Sequence, residues 1–258
     1  MKKTCLLVLF AFASAALSGA DSAYDSFLND INKILTEHNL NKTGMTARDF
    51  NAAGMYFYDR KLWYEAEMMF FRAIDIDPHH ALANYNLACV LSLQFLTKDA
   101  RHPSLMDVHV SNSFYYLYQA VLADSGRMRR ARNDSDLNNI REYDPVLFDA
   151  ITLPEDKRKK YEYEAAFEEA NSFEGDIQLV FADDSGEKIW LPATDEKLGA
   201  FGLYSISQEA PMPHADTNKD KVGKKFKIVI VYYPGYSDYV GGPVIFKKRK
   251  LISIKPLP

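Results

Sequence analysis

Cysteine is nearly absent from this chain: Cys5 and Cys89 are its only two in 258 residues. Cys5 lies in a leader-like start, so a mature chain would hold one thiol, which excludes an internal disulfide framework. Stability then has to come from packing. Also missing, after the first twenty residues, is any apolar run of the ~20 residues needed to cross a bilayer. Catalytic signatures are lacking too: there is no GxSxG elbow, phosphate-binding glycine loop, dinucleotide fingerprint or HExxH pair. What is present, 47% hydrophobic and 26% charged residues, is the composition of a folded chain with a sizeable core.

At the start, Lys2 and Lys3 precede an apolar stretch over 4–17, and Ser18, Gly19 and Ala20 form a small-residue cleavage site before Asp21. Residues 1–20 therefore read as a secretory signal peptide, with Ala13, Ser14 and Ala15 as an alternative site. A retained anchor would need a longer apolar run. Cys5 follows Lys3 and Thr4 instead of ending the run, which does not fit lipid attachment. The expectation is a soluble exported protein, periplasmic in a bacterium. Loss of Lys2 and Lys3 makes the chain more acidic than its formal net charge of −4, which argues against nucleic acid as a partner.

The most informative stretch is 50–78, FNAAGMYFYDRKLWYEAEMMFFRAIDIDP. Gly54 and Ala66 are small where two antiparallel helices would cross closely. Phe57, Phe70 and Ala73 fill the space between them, and Pro78 marks the approach to the next helix. At these offsets the stretch resembles a tetratricopeptide repeat (TPR), a helix–turn–helix unit that stacks on copies of itself. The resemblance implies an adaptor surface without catalysis or cofactor.

Around that unit, Phe27, Ile31, Ile34 and Leu35 mark an amphipathic helix over 21–40, ended at Gly44, that covers the first face of the stack. Thr46 is the N-cap of a helix over 47–58, and a turn at 59–61 leads to a second over 62–76. A second repeat, about 81–124, has Leu87, Ala88 and Leu91 at the equivalent places. Its partner helix is delayed to 113–122 by an insertion expected to form a loop. Two short helical segments around Asp144 and Pro145, then a charged helix over 155–170 with Tyr161, Ala165, Ala166 and Phe167 as its apolar stripe, close the helical domain at 134–171.

Beyond 172, short β-branched or aromatic runs at 177–181, 188–191, 203–206, 226–233 and 251–254 are separated by turn residues. Their order is similar to an oligonucleotide/oligosaccharide-binding (OB) type barrel, with an SH3-like barrel or a small sandwich as alternatives. The expected fold class is α+β multidomain: a TPR-like helical domain over 21–171 and a small all-β, barrel-like domain over 172–258.

No residue set points to chemistry. His79 and His80 are adjacent and so cannot share a helix face, and His102 and His109 lack companion ligands. Residues 216–220 open like a calcium loop, but Lys221 and Lys227 stand where glycine and glutamate are needed, leaving a polar turn. Glu168 and Glu169 read as a solvated face, and Cys89 as a buried core thiol that could also face the groove. No metal site is expected.

What remains is the groove the resemblance implies: Arg48, Asn51, Met55, Tyr58 and Asp59 from the first helix, Leu82, Tyr85, Asn86 and Cys89 from the second. Aromatic and amide side chains there suit an extended peptide. Met55 stands where the family's carboxylate clamp needs asparagine, so recognition of free C-termini is not carried over. The expected function is a non-enzymatic protein–protein scaffold in the envelope. The alternative makes the β domain a module for a glycan or other anionic polymer, contacted through Lys224, Lys225, Lys227, Lys247, Lys248, Arg249 and Lys250. The competing reading of those residues is the solvent side of alternating strands.

Overall fold

The computed structural model describes residues 20–40, 43–97, 103–173, 176–207, 214–239 and 242–258; residues 1–19 of the expected signal peptide lie outside them. The chain is α+β and divides into two compact units. One is Met1–Leu153 with Pro234–Phe246, the other Pro154–Tyr233 with Lys247–Pro258.

The first unit opens with α1 (Ala20–Glu37), whose Ile31 and Leu35 are buried. Thr46 then starts α2 (Ala47–Tyr58) through a capping box: the Asp49 amide donates to Thr46 Oγ1 (3.3 Å) and the Thr46 amide to Asp49 Oδ2 (2.9 Å). Lys61, with φ of 60°, turns the chain into α3 (Trp63–Ile76). At the crossing of these two helices Gly54 lies under Phe70, and a Cβ on Gly54 would fall 2.4 Å from Phe70 Cε1. This is the close approach the small residue permits.

Helices α4 (Ala81–Thr97) and α5 (Pro103–Ala123) form the next hairpin, and α4 packs on α3. His80 begins α4, its Nδ1 accepting from the Ala83 amide (3.1 Å). The residues expected to loop out between 91 and 113 instead lengthen both helices, to 17 and 21 residues, and 98–102 lie outside the described residues. The reason is local: 91–97 and 105–112 contain no glycine or proline, so nothing stops either helix early. Every residue from Ala83 to Ser92 is buried, which makes α4 the central rod of this unit.

After α5 come α6 (Arg127–Asn133), a 3-10 turn (Ser135–Leu137), α7 (Asn138–Tyr143) and α8 (Pro145–Thr152). Asp144 caps α8, accepting from the Leu147 amide at 2.9 Å, with Pro145 in the first turn where a missing N–H costs nothing. The segment Pro234–Phe246 belongs to this unit. Its Ile245 is buried in the helical core, and the Tyr236 ring lies 6.2 Å from that of Tyr115.

The second unit is built on an antiparallel sheet in the order β3-β2-β1-β6-β7. Its strands are β1 (Lys160–Phe173), β2 (Asp176–Asp183), β3 (Lys188–Pro192), β6 (Lys225–Tyr239) and β7 (Gly242–Pro256). The outer parts of β6 and β7 are the 234–246 segment already described. A short helix α9 (Glu196–Gly199) and a separate two-stranded ribbon, β4 (Tyr204–Ser207) with β5 (His214–Thr217), complete it. Phe167, Phe181, Ile189, Leu191, Phe226, Ile228 and Ile230 are fully or nearly fully buried in its core.

Two expectations are corrected here. The stretch 155–170, expected as a helix, is mostly the central strand β1. Tyr161, Tyr163, Ala165 and Phe167 alternate inward while Glu162, Glu164, Ala166 and Glu168 turn toward solvent. A spacing of four satisfies both periods, and the buried neighbours on β2 and β6 decide for the strand. The register shifts between Phe167 and Glu169, a bulge that returns Ala170 to the buried face. The sheet is also not closed into a barrel: β3 and β7 are its two edges. With β1 in the middle, the strands expected to close on one another lie on opposite sides of it.

Candidate interaction site

Of the α2 and α4 residues expected to line a groove, Tyr58 and Tyr85 are bonded to the chain's own 134–137 turn. Tyr58 donates its hydroxyl to Asp136, and Tyr85 donates to Asp134 Oδ2 at 2.8 Å. The turn is held from behind as well. Asp134 Oδ1 accepts from the Asp136 amide (3.1 Å), and Arg141 Nη2 donates to the carbonyls of Ala131 (2.9 Å) and Asp134 (3.1 Å). Leu137 is fully buried, and Asn139 Nδ2 donates to the Ser92 carbonyl near the end of α4 (2.7 Å).

Under the turn sits Cys89, 4% exposed. Its Sγ and one carboxylate oxygen each of Asp134 and Asp136 all lie within 4.8 Å of one another. Arg130 Nε stands 4.0 Å from Asp134 Oδ2, with its guanidinium 5.2 Å from the Tyr85 ring centre. Burial, then Asp134 and Asp136, pushes the Cys89 thiol well above its ordinary range. Burial, then the hydrogen bond to Asp136, pushes the Tyr58 phenol far up; burial, then Cys89 and the Asp134 hydrogen bond, does so for Tyr85. All three groups are protonated at neutral pH, and a protonated thiol is a poor nucleophile.

The nine expected groove residues divide accordingly. Asn51, Tyr85, Asn86 and Cys89 are buried, and Asn86 Nδ2 donates to Asn51 Oδ1 (3.0 Å) between the two helices. Tyr58 and Leu82 are half-buried. What stays accessible is one stripe of α2: Arg48, Ala52 and Asp59 exposed and Met55 half-buried, at spacings of four, three and four. Asp134 and Asp136 were missed by sequence reasoning. Their signal was the Asn133-Asp134-Ser135-Asp136 run, whose side chains compete for backbone hydrogen bonds and favour turns and caps over a continuous helix.

The lysines proposed as a ligand face are largely engaged within the sheet unit. Lys225 pairs with Asp184 (2.8 Å), Lys227 with Glu162 (2.7 Å) and Lys250 with Glu155 (2.6 Å), while Arg249 lies 3.5 Å from the Tyr232 hydroxyl. Lys224, Lys247 and Lys248 are exposed. Four consecutive basic residues on a strand alternate between faces, so Lys247 to Lys250 do not make one patch. Charged side chains on the edge strand β7 do have a physical role in hindering edge-to-edge pairing. At the former calcium-like stretch, Asn218 caps a 3-10 turn at Lys219–Lys221.

Fold and site together define a class: a unit of stacked helical hairpins that also takes in the Pro234–Phe246 segment, and a unit with an open antiparallel sheet, with the 134–137 turn set against residues expected to line a groove. No protein-family model, curated protein or solved structure matches the chain.

Proposed function

We propose that this chain is an exported, non-enzymatic interaction protein whose TPR-type hairpins dock an extended segment of an envelope protein. The observation that carries the reading is the stacking of α2/α3 and α4/α5 with Gly54 set against Phe70, the close crossing on which that repeat depends. The docking face is the α2 stripe of Arg48, Ala52, Met55 and Asp59. It combines one charge of each sign with a short apolar centre, suited to a peptide with mixed polarity. Tyr58 and Tyr85 serve the fold and not the partner, because their hydroxyls are committed to Asp136 and Asp134.

The test places a photocrosslinking residue at Arg48 or Ala52 in the full-length chain, expressed so that it reaches the envelope, with Trp190 on β3 as the comparison position. The reading expects the same discrete protein adduct from both α2 positions and none from Trp190. Adducts from Trp190 alone, or none from α2, would overturn it.

A further inference from the structure

We propose that Cys89, Asp134 and Asp136 form a binding site for one borderline divalent cation, with Zn²⁺ the best match to the donor set. The proposal does not depend on the adaptor reading. Three ligand atoms of types that zinc accepts lie within 4.8 Å of one another. A tetrahedral zinc with bonds of about 2.0–2.3 Å to oxygen and sulfur needs them closer by roughly an ångström, which side-chain rotation supplies. A thiolate selects against magnesium and calcium, whose ligands are oxygen.

Cys89 is 4% exposed and faces both carboxylates, and the Tyr85 hydroxyl that donates to Asp134 also lies against its sulfur. Charge balance argues for a cation. Two carboxylates converge on a buried sulfur, and the cation beside them, Arg130, is 4.0 Å from Asp134 with its side chain 58% exposed. The two carboxylates are half-buried, and like charges brought together there are costly unless compensated. A divalent ion would neutralise both carboxylates or, with loss of the thiol proton to solvent, one carboxylate and the thiolate.

The two tyrosines then take the part of outer-shell donors, fixing each carboxylate through a hydrogen bond as metal sites commonly require. A bound ion would join α4 to the 134–137 turn. It would therefore fasten the turn in place.

The experiment uses the full-length chain with Cys5→Ser, so that Cys89 is the sole thiol, stripped with a chelator and titrated with Co²⁺ and then Zn²⁺. The expected result is one equivalent bound, a thiolate-to-cobalt charge-transfer band that zinc abolishes, and a higher melting temperature. Cys89→Ser and Asp136→Asn should weaken binding by more than the about 10–100-fold expected for Tyr58→Phe or Tyr85→Phe. If Cys89→Ser does not fold, the thiolate band of the parent and the Asp136→Asn titration decide. Absence of the band, or binding unchanged in the folded Asp136→Asn chain, overturns the proposal.

Discussion

The two units handle polar groups in opposite ways. The helical unit draws several of them into its packing and pairs them there: Asn51 with Asn86 buried, and Tyr85 with Asp134 and Gln94 with Glu67 (2.6 Å) partly buried. The sheet unit keeps charge on its outer surface and pairs it across strands, as in Lys227 with Glu162 and Lys188 with Glu168. Buried partners are expensive to remove because the survivor has no water to turn to, whereas exposed pairs are screened and contribute little. The helical unit should thus be specified by individual contacts, and the sheet unit by its apolar face, Phe167 against Phe181 and Phe181 against Phe226. The two tryptophans fall one in each unit, Trp63 in α3 and Trp190 in β3, so Trp63→Phe and Trp190→Phe backgrounds report on each separately.

The largest effect should come from Gly54→Val. Its Cβ would stand 2.4 Å from Phe70 Cε1, and Phe70 is fully buried, so the ring has no free direction in which to retreat. Overpacking of this kind costs about 3 kcal/mol, more than the gain in helix propensity returns. Urea unfolding read by Trp63 should show a large loss of midpoint, and Phe70→Leu in the same chain should restore part of it. A neutral Gly54→Val would mean that this crossing does not govern the unit.

Next is Tyr85→Phe. The ring stays and only the hydroxyl is lost, leaving Asp134 without its 2.8 Å donor beneath the turn. The expected loss is about 2 kcal/mol, again on the Trp63 signal, with Tyr58→Phe milder because Tyr58 is only half-buried. If Tyr85→Phe costs no more than an exposed ion pair, the contrast between the units fails.

How much of this was legible follows the same division. The signals of α2 and α3 are local, and Thr46, Gly54 and the residues around Phe70 could be assigned from caps and spacing alone. The strand at β1 was not, because lysine, glutamate and alanine favour helix while the neighbours that make it a strand are β2, which follows it directly, and β6, which arrives from far along the chain. The open sheet followed from that strand and was hidden with it. At the candidate site, the apolar and amide residues on α2 and α4 were visible, but the turn that packs on them was not. Asp134 and Asp136 reach Cys89 only through the α6 to α7 connection, and no periodicity announces a long-range contact.

The smallest effect should come from acid acting on the sheet unit. The hydrogen bond from Lys250 foremost holds the Glu155 carboxyl below its ordinary 4.5, and the Ser185 hydroxyl foremost holds Asp183 below 3.8. For both groups the folded pKa is the lower one, so the unfolded chain binds protons first as pH falls. Their stabilisation is complete above the unfolded values and disappears as pH drops through the folded ones. Glu155 is 53% exposed, so screening limits its share to a few tenths of a kcal/mol, about the size of other surface pairs. The Trp190 midpoint should therefore fall slightly between about pH 6 and pH 3. High salt and Glu155→Gln should each flatten that slope. A midpoint that rose on acidification would reverse the sign and put the pairing of Glu155 with Lys250 in doubt. A slope as large as the Tyr85→Phe effect would show that the surface charges of the sheet count as much as the buried polar groups of the helices.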